Sequence, residues 1–313
     1  MKGVQFIPFG TKFDFWGHRW SAYAISLFVI IGSIACIGIK GLNFGIDFTG
    51  GTLIEIRTEQ AVSLADMRND LNNLDMGDIS IQEFGAPQDL LLRVPEQPGD
   101  EEAQTAAIAR VKAALDEKYG PVDYRRVEFV GPQVGEELKM QGIWATIFAM
   151  IGISVYIWFR FEWQFGAAMM VALIHDVIGT VGFFSLTGLT FDLTALAAVL
   201  TVAGYSVNDT VVIFDRIRDT MRKYRKQPLV EIINRAINDT LARTLVTGVT
   251  TLLALAALAV FGGEVIRGFV WSLMFGVVIG THSSIFVAAL LLMYMRVRPE
   301  KQGENAQGTP ATP

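Results

Sequence analysis

The sequence predicts an α-helical integral membrane protein with six transmembrane helices and one small α+β domain inserted after the first. Three observations carry that reading. The 313 residues are 51% hydrophobic and only 18% charged, against about 25% charge in an average soluble domain, and the mean hydropathy is +0.39. The apolar residues gather into six runs, each near the ~20 residues that cross a bilayer at about 1.5 Å per residue. One polar stretch, 40–138, separates the first run from the second. These figures exclude an ordinary soluble globule and a disordered chain. The net charge of −5 gives no basic footprint, so no nucleic acid is expected as a partner. A single cysteine, Cys36, excludes an intramolecular disulfide.

The elements follow in order. Residues 1–19 form an N-terminal segment with Phe6, Phe9, Phe13, Phe15 and Trp16, expected at the membrane interface. The uncharged run 20–39 is too long for a signal-peptide core and reads as a retained first helix. Within 40–138, residues 52–57 alternate with period two, a strand pattern, and 63–74 reads as a helix with Ser63 as N-cap. Residues 78–84 and 90–94 are short strands separated by Gly85-Ala86-Pro87; 100–119 is a helix stopping at Gly120-Pro121; 122–130 is a last strand. The order βαββαβ predicts a ferredoxin-like split βαβ domain.

Residues 139–295 are expected to hold the other five spans: 141–159, 165–187, 193–214, 244–263 and 268–295. None of the ten prolines falls in a run, which argues against transporters built on Pro-interrupted half-helices. Lys and Arg set the orientation. Lys2, Lys12 and Arg19 precede the first run, and Arg296, Arg298 and Lys301 follow the sixth. The expected loop 215–243 carries Arg216, Arg218, Arg222, Lys223, Arg225, Lys226, Arg235 and Arg243, whereas 188–192 has no Lys or Arg. Both termini, including the flexible tail 296–313, are therefore expected in the cytoplasm. The insert is expected on the trans, periplasmic side; it carries a net −10 while the rest of the chain carries +5.

The charges that interrupt the runs carry the chemistry. A carboxylate deep in a bilayer costs roughly 2.5–3.5 kcal/mol on insertion scales and faces a bundle or a water path. Asp209 lies about 25 Å along the fourth helix from Asp192, and Arg243 reaches the matching depth of the antiparallel fifth. Val202, Tyr205, Ser206, Asp209 and Arg216 form one helical stripe; Arg243, Thr247 and Thr250 form another. Tyr205, Ser206, Asn208 and Thr247 are the expected polar support. A carboxylate that loads and releases protons needs burial, which disfavours its charge, opposed by a cation, which favours it. The bland alternatives are a static Asp209–Arg243 pair, or Asp209 at the headgroups with Arg243 snorkelling to water. His175 and Asp176 are a second proton-site candidate or, more simply, an interhelical hydrogen bond. His282 reads as a packed histidine. Gly276, Gly280, Ser284 and Ala288 make a small-residue ridge for packing within the bundle or against a partner. No cluster has metal-ligand spacing and no nucleophilic triad or phosphate loop is evident, so neither a metal site nor a catalytic residue is expected.

Two motifs resemble a family. Phe44-Gly45-Ile46-Asp47-Phe48-Thr49-Gly50-Gly51 follows the first run, and the fourth contains Ala203-Gly204-Tyr205-Ser206-Val207-Asn208-Asp209-Thr210-Val211-Val212-Ile213-Phe214-Asp215-Arg216-Ile217-Arg218. Both resemble SecF subunits of the bacterial SecD–SecF protein-export complex, an RND-related group, and the resemblance covers about 13–295. It implies an RND-type half with six spans and an extracytoplasmic domain after the first. It implies a non-enzymatic inner-membrane subunit of the Sec preprotein translocase, using the proton-motive force to promote late export. The partners so implied are SecD, the SecYEG translocon, YajC, YidC, the translocating preprotein and membrane lipids, with protons as coupling ion and no cofactor. The family's proton-linked Asp matches Asp209 and its partnering Arg matches Arg243; Gly45, Asp47, Phe48, Gly50 and Gly51 match its glycine-rich motif. Members often carry Tyr at position 282, which weakens a relay role for His282. Two other classes stay open: half of an RND-like exporter of lipids or hydrophobic solutes, and a non-transporting translocon or insertase scaffold.

Overall fold

The structure is a computed structural model and describes residues 11–77, 79–99, 101–295 and 297. Phe6, Phe9, Lys2, Arg296, Arg298, Lys301 and nearly all of the tail 296–313 lie outside these. Among the described residues, six helices are long and apolar enough to cross a membrane. They are α1 (Arg19–Lys40), α5 (Pro132–Arg160), α6 (Trp163–Thr187), α7 (Leu193–Lys223), α8 (Leu229–Phe261) and a last helix, Arg267–Tyr294. The last begins as α9 (Arg267–His282), widens into a π-helical stretch Ser283–Ala288, and ends as α10 (Ala289–Tyr294). α6, α7 and the last helix form the buried centre, and α1, α5 and α8 surround it with exposed faces bearing Phe28, Trp158, Phe159 and Phe261.

Several helices outrun their apolar stretches. The expected loop 215–243 is helical through Lys223 and again from Leu229, leaving a short turn around Tyr224. The basic residues continue an amphipathic helix past the membrane, with Arg216 bonded to Asp239 of α8 (Nε to Oδ2 3.0 Å). Local caps fix the ends nearest the insert. Asp192 accepts from the Ala195 amide at 2.8 Å, filling one of the bonds that the start of α7 leaves open. α6 stops at Gly188, whose φ of +70° suits a left-handed cap without a Cβ.

The insert comprises α2 (Ile46–Thr49), β1 (Gly51–Arg57), α3 (Leu64–Asn72), β2 (Ser80–Phe84), β3 (Ala86–Val94), α4 (Glu101–Tyr119) and β4 (Asp123–Val130). The sheet order is β2-β3-β1-β4 with antiparallel neighbours, the expected ferredoxin-like arrangement. Ser63 does cap α3, accepting from the Asp66 amide. Ala86 and Pro87 belong to β3 rather than to a separating turn, because the register shifts at Phe84 and lets the chain reverse at Gly85. Alternation puts Ile54, Ile56, Leu90 and Leu92 on one face, against Met67, Leu71, Val111 and Leu115 of α3 and α4. The other face, with Glu55, Leu91, Arg93 and Arg126, roofs a cavity of about 440 Å³ over the end of the bundle.

Residues 13–16, just before α1, are docked rather than loose. Asn238 of α8 takes the Phe13 amide on Oδ1 at 3.0 Å and gives Nδ2 to the Phe13 carbonyl at 2.9 Å. One turn away, Asn234 accepts from the Trp16 amide at 3.1 Å and donates to Asp14 at 2.9 Å. Phe15, expected at the interface, is instead 3% exposed and packs against Phe286, since a benzyl group gains more from the core than from headgroups.

Candidate functional site

Close helix approach builds the site. A Cβ on Gly276 would overlap the Val202 side chain, and one on Gly280 would lie 3.1 Å from Ser206 Cβ. The small-residue ridge of the last helix is therefore used against α7 inside the bundle. This brings three helices around Asp176 of α6, which is fully buried. Ser206 Oγ donates to Asp176 Oδ2 at 2.5 Å and Ser283 Oγ to the same oxygen at 2.7 Å. His175 Nδ1 lies 2.9 Å from Asp176 Oδ1. Thr210 and Ser284 hydroxyls meet at 2.8 Å, and Ser284 donates to the Ser206 carbonyl at 3.2 Å. Thus the interhelical hydrogen bond expected of Asp176 is present, and it joins α6, α7 and the last helix at one level.

The sequence assigns no hydrogen-bonding role to Ser283, Ser284 or Thr210, reading Ser284 only as a small residue of the packing ridge. Consecutive residues on an α-helix point about 100° apart, and the two serines meet different helices: Ser283 bonds Asp176 of α6, and Ser284 meets Thr210 and the Ser206 carbonyl of α7. Both serines open the π-helical stretch, where the turn is wider than in the α-helix on either side.

Asp209 is placed differently. It is 2% exposed, yet its Oδ2 is enclosed without a hydrogen-bond partner, as are Tyr205 Oη, Thr244 Oγ1 and Thr281 Oγ1. The α8 groups that act on the carboxylate are Arg243, through its charge, and Thr247. Among the described residues no ion pair within 4.0 Å joins Asp209 to Arg243. Arg243 is exposed, and Thr247 Oγ1 donates to backbone carbonyls of its own helix. Asn208 is exposed and leaves the expected stripe, because one residue from Asp209 is about 100° around the helix. His282 is packed beside Phe286, with its Nε2 unpartnered. Among the described residues no group of three His, Cys, Asp or Glu is gathered that could hold a metal.

The glycine-rich motif sits at the insert end of α7. Asp47 Oδ2 accepts from the Leu193 amide, in the first turn of α7, at 3.0 Å. The Gly45 amide donates to the Phe191 carbonyl at 2.9 Å and the Phe191 amide to the Asn43 carbonyl at 2.8 Å. Phe44, Phe48 and Phe191 stack edge and face around these bonds. Arg93 of β3 reaches into the same place, donating to Asn43 Oδ1 at 2.9 Å and to Thr190 Oγ1. Burial pulls the Arg93 pKa below its ordinary value, and the charge of Asp192 opposes that. Gly50 and Gly51 have φ of +71° and +109°, a region glycine occupies freely; a Cβ on Gly51 would also lie 2.6 Å from the Val94 carbonyl.

Comparison with known proteins places this architecture. Residues 110–298 match the family described as protein export membrane protein SecD/SecF, C-terminal, and residues 37–62 match the SecD/SecF GG motif. Protein translocase subunit SecF of Magnetococcus marinus is 50% identical over 304 residues, covering 96% of this chain and 98% of that one. SecF of Rickettsia felis is 47% identical, covering 92% of this chain and 94% of that one. The crystal structure of SecDF, a translocon-associated membrane protein from Thermus thermophilus, matches with a TM-score of 0.82 and 35% identity over 91% of this chain. A SecDF structure in a super-membrane-facing form matches over the same share with a TM-score of 0.66 and 34% identity. This chain spans 39% of the length of each SecDF chain. A multi-pass membrane chain with this sheet domain, these matches and this motif belongs to the SecF family of protein translocase subunits.

Proposed function

We propose that this chain works with SecD as a proton-driven auxiliary subunit of the Sec preprotein translocase, promoting late export across the inner membrane. Both termini face the cytoplasm and the insert faces the periplasm, as the Lys and Arg distribution supports. The observation that carries the reading is Asp209: a buried carboxylate with an unpartnered oxygen, acted on by the charge of Arg243 across the α7–α8 contact. A carboxylate kept only for packing would be satisfied, as Asp176 is, because an unpaired buried polar group is costly. Asp209 takes a proton, and the position of Arg243 relative to it favours loading or release. A proton crossing the potential yields about 2.3 kcal/mol per 100 mV, enough to bias α7 between two positions.

His175 and Asp176 are a secondary proton candidate, but the three contacts on the Asp176 carboxylate favour a structural crosslink. SecD is the first partner, a reading that the match to SecDF supports. The SecYEG translocon, the emerging preprotein, YajC, YidC and lipids follow from the family. The test is Asp209→Asn in the SecD-containing complex, assayed for preprotein completion under an imposed proton gradient. Loss of gradient stimulation is expected; export that stays fully stimulated would remove the proton role.

A further inference from the structure

The two chain crossings between bundle and insert lie side by side. Gly51, the first residue of β1, pairs with Val130, the last of β4, and α5 starts two residues later at Pro132. A Cβ on Gly135 of α5 would lie 3.0 Å from the Gly50 amide, so α5 crosses directly over the motif. Beyond this point the sheet is held off the bundle by the cavity of about 440 Å³, with Arg93 spanning to Asn43 and Thr190. The insert is thus carried on one small joint, and that joint is bonded to the first turn of α7 by the Asp47 carboxylate.

We propose that segment 43–51 is the transmission joint of this subunit. In it Asp47 clamps the start of α7, and Gly50 and Gly51 let the sheet pivot when α7 moves. The inference rests on the proposed proton role of Asp209, which lies on the same helix. Axial movement of a 31-residue helix carries its capped first turn with it, because the internal hydrogen bonds keep the helix rigid along its axis. Asp47 and Asp192 place two carboxylates at that end, where a helix start favours negative charge. Asp47 follows α7 through a side-chain bond, while α1 and α5 hold the chain on either side. The motif glycines then absorb the difference in position at φ values that other residues resist. The two SecDF structures fit this chain with TM-scores of 0.82 and 0.66 at equal coverage, so they differ from each other in the arrangement of the matching part. Asp47 is a positioning residue, acting on the sheet through the motif and touching no substrate.

The test uses the complex with SecD in membranes, with Cys36 replaced by serine. A cysteine at Asn208 reports on α7 and, in separate samples, one at Gln82 reports on the sheet, each read by its maleimide labelling rate with and without a proton gradient. In the parent both rates respond. In Asp47→Ala the Asn208 reporter still responds, while the Gln82 response and gradient-stimulated export each fall about fivefold or more, the lower end of coupling between distant sites. Asp47→Asn, whose carboxamide oxygen can still accept from Leu193, retains most of both. A third sample, Asp47→Cys with Leu193→Cys and no reporter, makes the clamp switchable: oxidation is expected to restore gradient-stimulated export and reduction to lower it in the same folded molecules. An Asp47→Ala complex with full sheet response and export overturns the joint. Loss of the Asn208 response together with the others also overturns it, since Asp47 would then serve α7 itself. A parent whose Asn208 reporter ignores the gradient, with Asp209→Asn still stimulated, removes the proton reading and the joint with it.

Discussion

The two buried aspartates should respond to substitution in opposite directions. Three contacts end on the Asp176 carboxyl, at 2.9, 2.5 and 2.7 Å. Side-chain hydrogen bonds between membrane helices average about 0.6 kcal/mol and reach about 1.7. Asp176→Ala therefore costs roughly 2 kcal/mol in bonds, and the void at a fully buried position adds on the order of 1 kcal/mol. Asp176→Asn keeps an acceptor oxygen for Ser206 and Ser283 and can face an amide N–H toward His175, so its cost stays below about 1 kcal/mol. Asp209 has an unpartnered oxygen to give up, and Asp209→Asn removes a carboxylate from the bilayer. Its stability is expected to rise by on the order of 1 kcal/mol, since insertion scales place the full charge penalty at roughly 2.5–3.5 kcal/mol and Arg243 offsets part of it. The assay is reversible unfolding of the purified protein in mixed micelles with rising SDS, followed by circular dichroism at about pH 7. If Asp176→Asn unfolds as early as Asp176→Ala, charge rather than hydrogen bonding holds the three helices. If Asp209→Asn loses more than about 1 kcal/mol, its carboxylate is a packing element and the assignment of a functional burden fails.

Three further outcomes follow from the geometry. Gly276→Val should cost about 1–3 kcal/mol by overpacking, because its Cβ would overlap Val202; the same SDS titration reads it, with exposed Gly204→Ala as the control expected near wild type. Arg243→Lys should impair gradient-stimulated export even though the charge is kept, since an ammonium cannot reproduce the reach and planarity of a guanidinium; wild-type rates would show that charge alone suffices. In the insert, Arg57 bonds Asp89 at 2.5 and 2.6 Å, and with Arg125 it holds the Asp89 carboxyl below its ordinary range. That contribution is complete above the unfolded value near pH ~4 and is lost as pH falls through the lower folded value. Protection of β1 and β3 amides in the full chain, measured as exchange relative to the unfolded chain at the same pH, should fall over that acidic window, and less so in Asp89→Asn.

The spans were legible because an apolar run needs no tertiary information to be recognised. Their ends were not, because α5, α7 and α8 continue as amphipathic helices whose polar residues read as loop. The insert was legible through period-two alternation and the Ser63 cap. Asp209 and Asp176 both stood out as charges in apolar runs, yet only packing separates them: Ser206 on α7 and Ser283 on the last helix satisfy one carboxylate and bypass the other. The π-helical turn at Ser283 has no proline or glycine within it to announce it, and the partners of its two serines lie on α6 and α7, far away in sequence. Asp47 was visible only as part of a motif, since its partner Leu193 is 146 residues away.

The docking of residues 13–16 also sets an order for biogenesis. Phe13 and its clamp Asn238 are separated by 225 residues, so residues 13–16 have no binding site until α8 has been synthesised. At about 5–20 residues per second that delay is roughly 11 to 45 s. During this interval Phe15 lacks its partner Phe286, and Phe13 and Trp16 lack the asparagines of α8. Closure of the asparagine clamp is consequently a late event in maturation, and its protection from protease marks a chain whose fifth spanning helix has already arrived.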